Sequence, residues 1–153
     1  MSEHKAIIQW NCNGPDFLKG KFSREHTWTF DGGATVAASA SPSVVPAPYS
    51  SAAAVDPEEA FVASIASCHM LTFVWLASRA GFAIDSYRDE AIGTMTKNER
   101  GVPWVNAVKL QPDIAWSGEK RPTPEELERL HHEAHKQCFI ANSVMTEITV
   151  ATT

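Results

Sequence analysis

The residues of this chain best able to do chemistry are three cysteines, Cys12, Cys68 and Cys138, and the histidines near two of them. Cys68 is followed directly by His69, and His131, His135 and Cys138 recur at i, i+4 and i+7. A thiol reacts as the thiolate, so a reactive cysteine needs a nearby group that favours its charged form. His69 is the nearest base, but adjacent helix residues point about 100° apart, which places it poorly for activating Cys68. Packing or hydrogen bonding is its expected role. Arg24 is a cation available from the N-terminal strands, Glu58 is a carboxylate able to orient an arginine, and Cys138 is a second thiol able to resolve an oxidised first one. Two blander readings stand beside this one. A free cysteine in the middle of an apolar helix is more often an inert small hydrophobe. The His131, His135 and Cys138 trio, completed by Cys68 or His69, could ligate zinc, although no paired CxxC spacing supports it.

The element that must carry Cys68 runs from Asp56 to Gly81. Asp56 suits an N-cap, Pro57 the first helical position and Glu59 the reciprocal position of a capping box. Gly81 suits the residue just past the end. About 24 residues at 1.5 Å each give a rod of roughly 36 Å, expected as a buried central helix. Ala60–Ser78 lacks a formal charge over nearly a membrane-span length. Its Ser64, Ser67, Cys68, His69, Thr72 and Ser78 argue instead for a protein interior. A second helix starts at Thr123-Pro124-Glu125-Glu126 and is expected to reach about Ala141, with Leu127, Leu130, Ala134, Cys138 and Ala141 on one stripe.

Strands are expected around these helices. Residues 5–12 alternate as a half-buried strand, and a second strand places His26, Trp28 and Phe30 on one face. Asp31-Gly32-Gly33 then makes a hairpin-type connection to a third strand near 34–39. Residues 40–55, rich in Ser, Ala and Pro, form a long loop that serves equally well as connector or lid. Strands over 87–96 and 105–116 flank the turn at 97–101, with Pro112 marking an edge or bulge, and a last strand spans 145–150. The order implies one α+β domain over residues 1–153 with antiparallel sheet. A net charge of −5 without a basic cluster argues against nucleic-acid binding. An odd, widely spaced set of cysteines behind an N-terminus without signal-sequence character predicts a reducing, cytoplasmic setting and no structural disulfides.

Asp56-Pro57-Glu58-Glu59, followed nine residues later by Cys68 and by a second cysteine near the end of a later helix, resembles the OsmC/Ohr family of osmotically inducible and organic hydroperoxide resistance proteins. Ser67-Cys68-His69-Met70-Leu71-Thr72-Phe73 is similar to an OsmC-like subgroup. The resemblance implies antiparallel sheets packed on a long central helix, in an intertwined homodimer with active sites at the subunit interface. It implies a thiol-dependent peroxidase that reduces organic hydroperoxides without cofactor or metal and is recycled by an external dithiol of lipoyl type. By position, Cys68 would be the peroxidatic cysteine, Cys138 the resolving one, and Glu58 the carboxylate that holds the active-site arginine. Arg24 is the candidate arginine, in a local context (Phe22 to His26) that differs from the main branches. Phe139 stands where the family usually has proline. The alternative is a non-catalytic module of the same fold that binds a small hydrophobic ligand or a metal.

Ten residues of helix separate Glu58 from Cys68 by about 15 Å, too far to share one arginine along a single rod. Either Arg24 bridges with its own length, or two such helices pack antiparallel so that one chain's Glu58 nears the other's Cys68. The second arrangement is the expected one.

Overall fold

Asp56 opens the long helix α1 (Pro57–Arg79) through the anticipated reciprocal cap. Its Oδ1 accepts the Glu59 N–H at 2.8 Å, and Glu59 Oε2 accepts the Asp56 N–H at 3.1 Å. The helix closes at Gly81, whose φ of 81° lies in the left-handed region where glycine carries no Cβ penalty. The computed structural model describes residues 1–152 and divides into two units, Met1–Ala60 and Phe61–Thr153.

The first unit is a three-stranded antiparallel sheet, β1 (Ala6–Gln9), β2 (His26–Phe30) and β3 (Thr35–Ala38), in that order. The β2–β3 hairpin turns at Asp31-Gly32-Gly33, as its composition predicts, with Gly33 at φ 86°. β1 departs from expectation. It is shorter than residues 5–12 and exposed on both faces, with Ile7 and Ile8 about 60% exposed, because this unit puts no second layer against it. The 40–55 loop is tied to its own unit. Tyr49 O accepts the Arg24 N–H at 2.9 Å, Val55 bridges to Ala38 beside β3, and buried Ser39 Oγ accepts the Ser51 N–H.

The second unit holds two sheets. β4 (Ala83–Asp89) pairs antiparallel with β7 (Pro112–Ser117), while β5 (Ile92–Lys97), β6 (Pro103–Leu110) and β8 (Glu147–Val150) form a separate sheet in that order. Each long strand expected over 87–96 and 105–116 is therefore two strands that belong to different sheets. Pro112 opens β7, an edge strand of the two-stranded β4–β7 sheet, so it lies on an edge as expected and its missing N–H costs no ladder bond. β8 pairs parallel to β6, an exception to the expected antiparallel sheet. The second helix, α2, covers Pro124–Gln137 and so ends four residues short of Ala141.

Two apolar clusters join these elements. Phe73, Ala77, Phe82 and Ala134 pack with Ile84, Ile114 and Trp116, seating the later half of α1 and α2 on β4–β7. Ile65, Val108 and Leu110 pack with Val105, Ile148 and Ile140, seating the earlier half of α1 on the β5–β6–β8 sheet. The helix is thus buried along one stripe only, Ile65, His69, Phe73 and Ala77, spaced by four. Leu71 and Trp75 are 64% and 55% exposed, so the helix, expected as a buried central one, presents a second apolar face outward in the single chain. By length and composition alone α1 also passes as a membrane span.

The approach of α1 to its sheet is close at Gly93, where an added Cβ would overlap Val62 Cγ2. Val62 is β-branched and stiff on its helix, so the contact cannot relax cheaply. Gly93→Ala is expected to cost about 1–3 kcal/mol by overpacking. Thermal unfolding checks this against Gly32→Ala, whose Cβ meets nothing within 4 Å.

Candidate active site

One buried stripe on α1 fixes where its chemistry points. His69 belongs to the stripe and faces the core; Cys68, one residue earlier and about 100° around the axis, lies at the margin and is half-buried. Ser64 and Thr72 flank it one turn away on either side. Their hydroxyls donate to the carbonyls of Phe61 and of Cys68 itself, the usual way a helix satisfies such side chains.

Cys138 arrives from the end of α2. That helix starts with a full capping box between Thr123 and Glu126 and stops where Cys138 turns extended, at φ −69° and ψ 118°. Neither glycine nor proline causes the stop. Asn142 lies at the stop, its Nδ2 donating to the carbonyls of Lys136 and Cys138 at 2.9 Å each, and the Cys138 carbonyl also accepts the Asn142 N–H at 3.1 Å. Asn142 went unnoticed in the sequence. Its signal was an asparagine a few residues past a helix that lacks a glycine stop.

The two thiols are neighbours. Both are free, Cys138 is buried at 1% exposure, and Cys68 is near enough to perturb its titration. Burial pushes the Cys138 thiol up to about 11, and the neighbouring Cys68 thiol adds to the rise. The Ala141 N–H, donating to Cys138 Sγ at 3.4 Å, pulls the other way, as does the Ile140 N–H. At neutral pH Cys138 is therefore a protonated thiol held against its partner. No lysine or arginine among the described residues of this unit hydrogen-bonds either sulfur.

His69 has the role expected of it. Its Nε2 pairs with His131 Nδ1 at 3.1 Å, the two rings stack at 5.4 Å, and Phe73 stacks on His131 at 4.2 Å. Burial lowers both rings to about 4, and for His69 the neighbouring His131 and His135 lower it further. Both are neutral near pH 7, one donating to the other. His69 Nδ1 is buried without a partner among the described residues. This arrangement divides the zinc trio read from spacing, since His131 is engaged by His69 while Cys138 faces Cys68. Among the described residues no three His, Cys, Asp or Glu side chains gather as a metal site.

Arg24 and Glu58 belong to the first unit and are not brought together there. The Arg24 guanidinium donates through Nη1 to the carbonyls of Gly20 and Phe22, at 3.0 and 2.5 Å, and lies 3.7 Å over the Phe22 ring. Glu58, half-buried in the first turn of α1, makes no ion pair among the described residues of this unit. Arg24 lines an apolar groove of about 520 Å³ with Ile8, Trp10, Phe17 and Phe22, three of them a mutually packed aromatic cluster.

The chain is α+β and carries two free thiols near one another, one from the middle of its longest helix and one from the end of the next. The OsmC-like protein family profile matches residues 50–153. The chain belongs to the OsmC-like family. It is 49% identical to an OsmC-like protein of unknown function from Vibrio cholerae, with a TM-score of 0.96 over 99% of both chains. The organic hydroperoxide resistance protein OsmC of Legionella pneumophila shares the fold at 16% identity, with a TM-score of 0.67 over 99% of this chain and 100% of that one. An organic hydroperoxide resistance protein from Elizabethkingia anophelis, solved with thiocyanate bound, does so at 18% identity and a TM-score of 0.69, over 100% of this chain and 98% of that one. No curated protein matches the chain in sequence.

The buried histidine pair predicts a specific acid sensitivity. Unfolded rings protonate near 6.5 while the folded pair resists until about 4, so stability is full above pH 6.5 and falls continuously as pH drops toward 4. The loss is up to roughly 3 kcal/mol for each ring. A series of melting temperatures across this range checks it, and a His69→Phe/His131→Phe double variant is expected to flatten the slope.

Proposed function

We propose that the protein is a thiol-dependent peroxidase that reduces organic hydroperoxides, with Cys68 as the thiol that meets the peroxide and Cys138 as the resolving thiol. The observation that carries this reading is the meeting of two free thiols of unequal exposure, Cys68 half-buried and Cys138 buried. Family membership and the fold shared with proteins named for organic hydroperoxide resistance support it.

The Cys68 thiolate attacks the terminal peroxide oxygen, the O–O bond breaks, and the organic part leaves as an alkoxide that takes a proton to become an alcohol. Cys68 is then a sulfenic acid. Cys138 condenses with it. The sulfur–sulfur bond forms as the sulfenic hydroxyl leaves, and the Cys138 proton completes the departing water. An external dithiol, of lipoyl type or similar, then reduces the disulfide by exchange in the reducing cytoplasm.

The Cys68 thiolate needs a cation, and Arg24 is the one we assign, held by Glu58. The ten-residue separation of Glu58 and Cys68 on α1 favours a homodimer in which one copy's Glu58 completes the other's site. The outward apolar face of α1 at Leu71 and Trp75 and the two exposed faces of β1 are consistent with burial against a second copy. The apolar groove beside Arg24 favours organic over hydrogen peroxide, and it equally suits the second reading, a non-catalytic module that holds a hydrophobic ligand.

Thiol titration during addition of cumene hydroperoxide separates the two readings. The wild-type chain is expected to lose two thiols and keep Cys12, with hydrogen peroxide slower. Cys68→Ser should lose none and fall at least about a thousandfold in turnover, the loss typical of removing a nucleophile. Arg24→Ala should slow the peroxide step by about 10–1,000-fold. Thiols that stay inert while an apolar dye fills the groove would establish the ligand module instead. A fully active monomer would contradict the shared site.

A further inference from the structure

Two sulfurs of a disulfide can each receive an incoming thiolate, and the structure distinguishes them. Resting on the peroxidase reading above, we propose that the external reductant attacks Cys68 Sγ and that Cys138 is the leaving thiol, received by the Ala141 backbone N–H. Thiol–disulfide exchange proceeds by attack on one sulfur along a clear path, and access to that sulfur enters the rate directly. Cys138 is only 1% exposed and is enclosed by the turn at 138–142, which Asn142 closes from two sides. Cys68 sits at the margin of α1 and is half-buried. The Ala141 N–H already points at Cys138 Sγ at 3.4 Å, so a donor is in place where negative charge appears when the bond breaks.

One effect opposes this assignment. A basic thiol leaves more slowly, and burial raises Cys138 to about 11. Basicity only grades the rate, however, whereas a sulfur without an approach path has no rate to grade. The same basicity has a use after the bond has broken. The electron pair of the old bond goes to Cys138 Sγ, which takes up a proton, and the reductant is left joined to Cys68 as a mixed disulfide. Because burial raises the Cys138 thiol, it is mostly protonated at pH 7, which slows its re-attack on Cys68. A dithiol completes the cycle by attacking its own mixed-disulfide sulfur with its second thiol, closing its ring and releasing Cys68. A monothiol needs a second molecule of itself to take that exit.

The test uses the full chain in a Cys12→Ala background, oxidised with diamide so that no peroxide chemistry is needed. Excess N-acetylcysteine is added, the mixture is quenched in acid, and the adduct is located by peptide mapping. The expected adduct is on Cys68, with Cys138 a free thiol. It should accumulate near pH 7 and, once free reductant is removed, return to the internal disulfide about tenfold faster for each pH unit gained. An adduct on Cys138, or one divided evenly, overturns the proposal, as does failure of diamide to link Cys68 to Cys138. A chain that exchanges at Cys68 yet ignores organic hydroperoxide would overturn the peroxidase reading and leave the direction of exchange standing.

Discussion

A long helix packed on sheets can bury only one stripe deeply, and the choice of stripe on α1 governs the rest of this molecule. Ile65, His69, Phe73 and Ala77 take the core. That commits Cys68 to the margin, where it is reachable from outside and faces the end of α2. A rotation of the helix by one residue would exchange the two roles, placing the thiol in the core and the imidazole at the edge. The two apolar clusters, one on each sheet, resist such a rotation at both ends of the rod. The placement of the thiol is therefore a consequence of packing more than of any residue next to it in sequence.

The same stripe explains the polar pair in the core. His69 occupies a position where an aliphatic side chain would pack with less cost, since its Nδ1 has no partner and an unsatisfied buried polar atom costs about 1–3 kcal/mol. What it does provide is a fixed join between α1 and α2, made by a hydrogen bond and a stack with His131. α2 carries Cys138 at its end, so a bond that sets the spacing of the two helices also sets the spacing of the two thiols. Asn142 makes the complementary adjustment, ending α2 early enough for Cys138 to turn inward.

Features written in adjacent residues were legible in the sequence. Both capping boxes, the glycine stop of α1 and the β2–β3 hairpin follow from short-range stereochemistry, and the structure places them as read. Features that depend on distant partners were not. The strands β4 to β7 looked like two long ones because no Gly or Pro-rich turn separates Asp89 from Ile92, and only sheet membership tells them apart. The parallel pairing of β8 with β6 and the His69–His131 bond, 62 residues apart, have no local signature. The exposure of β1 and of one α1 face is likewise invisible in alternation, which reports that a face is apolar and not what covers it.

The central claim is that α1 and α2 hold Cys68 and Cys138 of one chain close enough to react as a pair. The most direct measurement is non-reducing peptide mapping of the full-length protein after one equivalent of cumene hydroperoxide. The account predicts a single crosslink between the Cys68 and Cys138 peptides of the same chain, with Cys12 left as a free thiol. A stable sulfenic or sulfinic acid at Cys68 beside an untouched Cys138, or a crosslink only between chains, would contradict it.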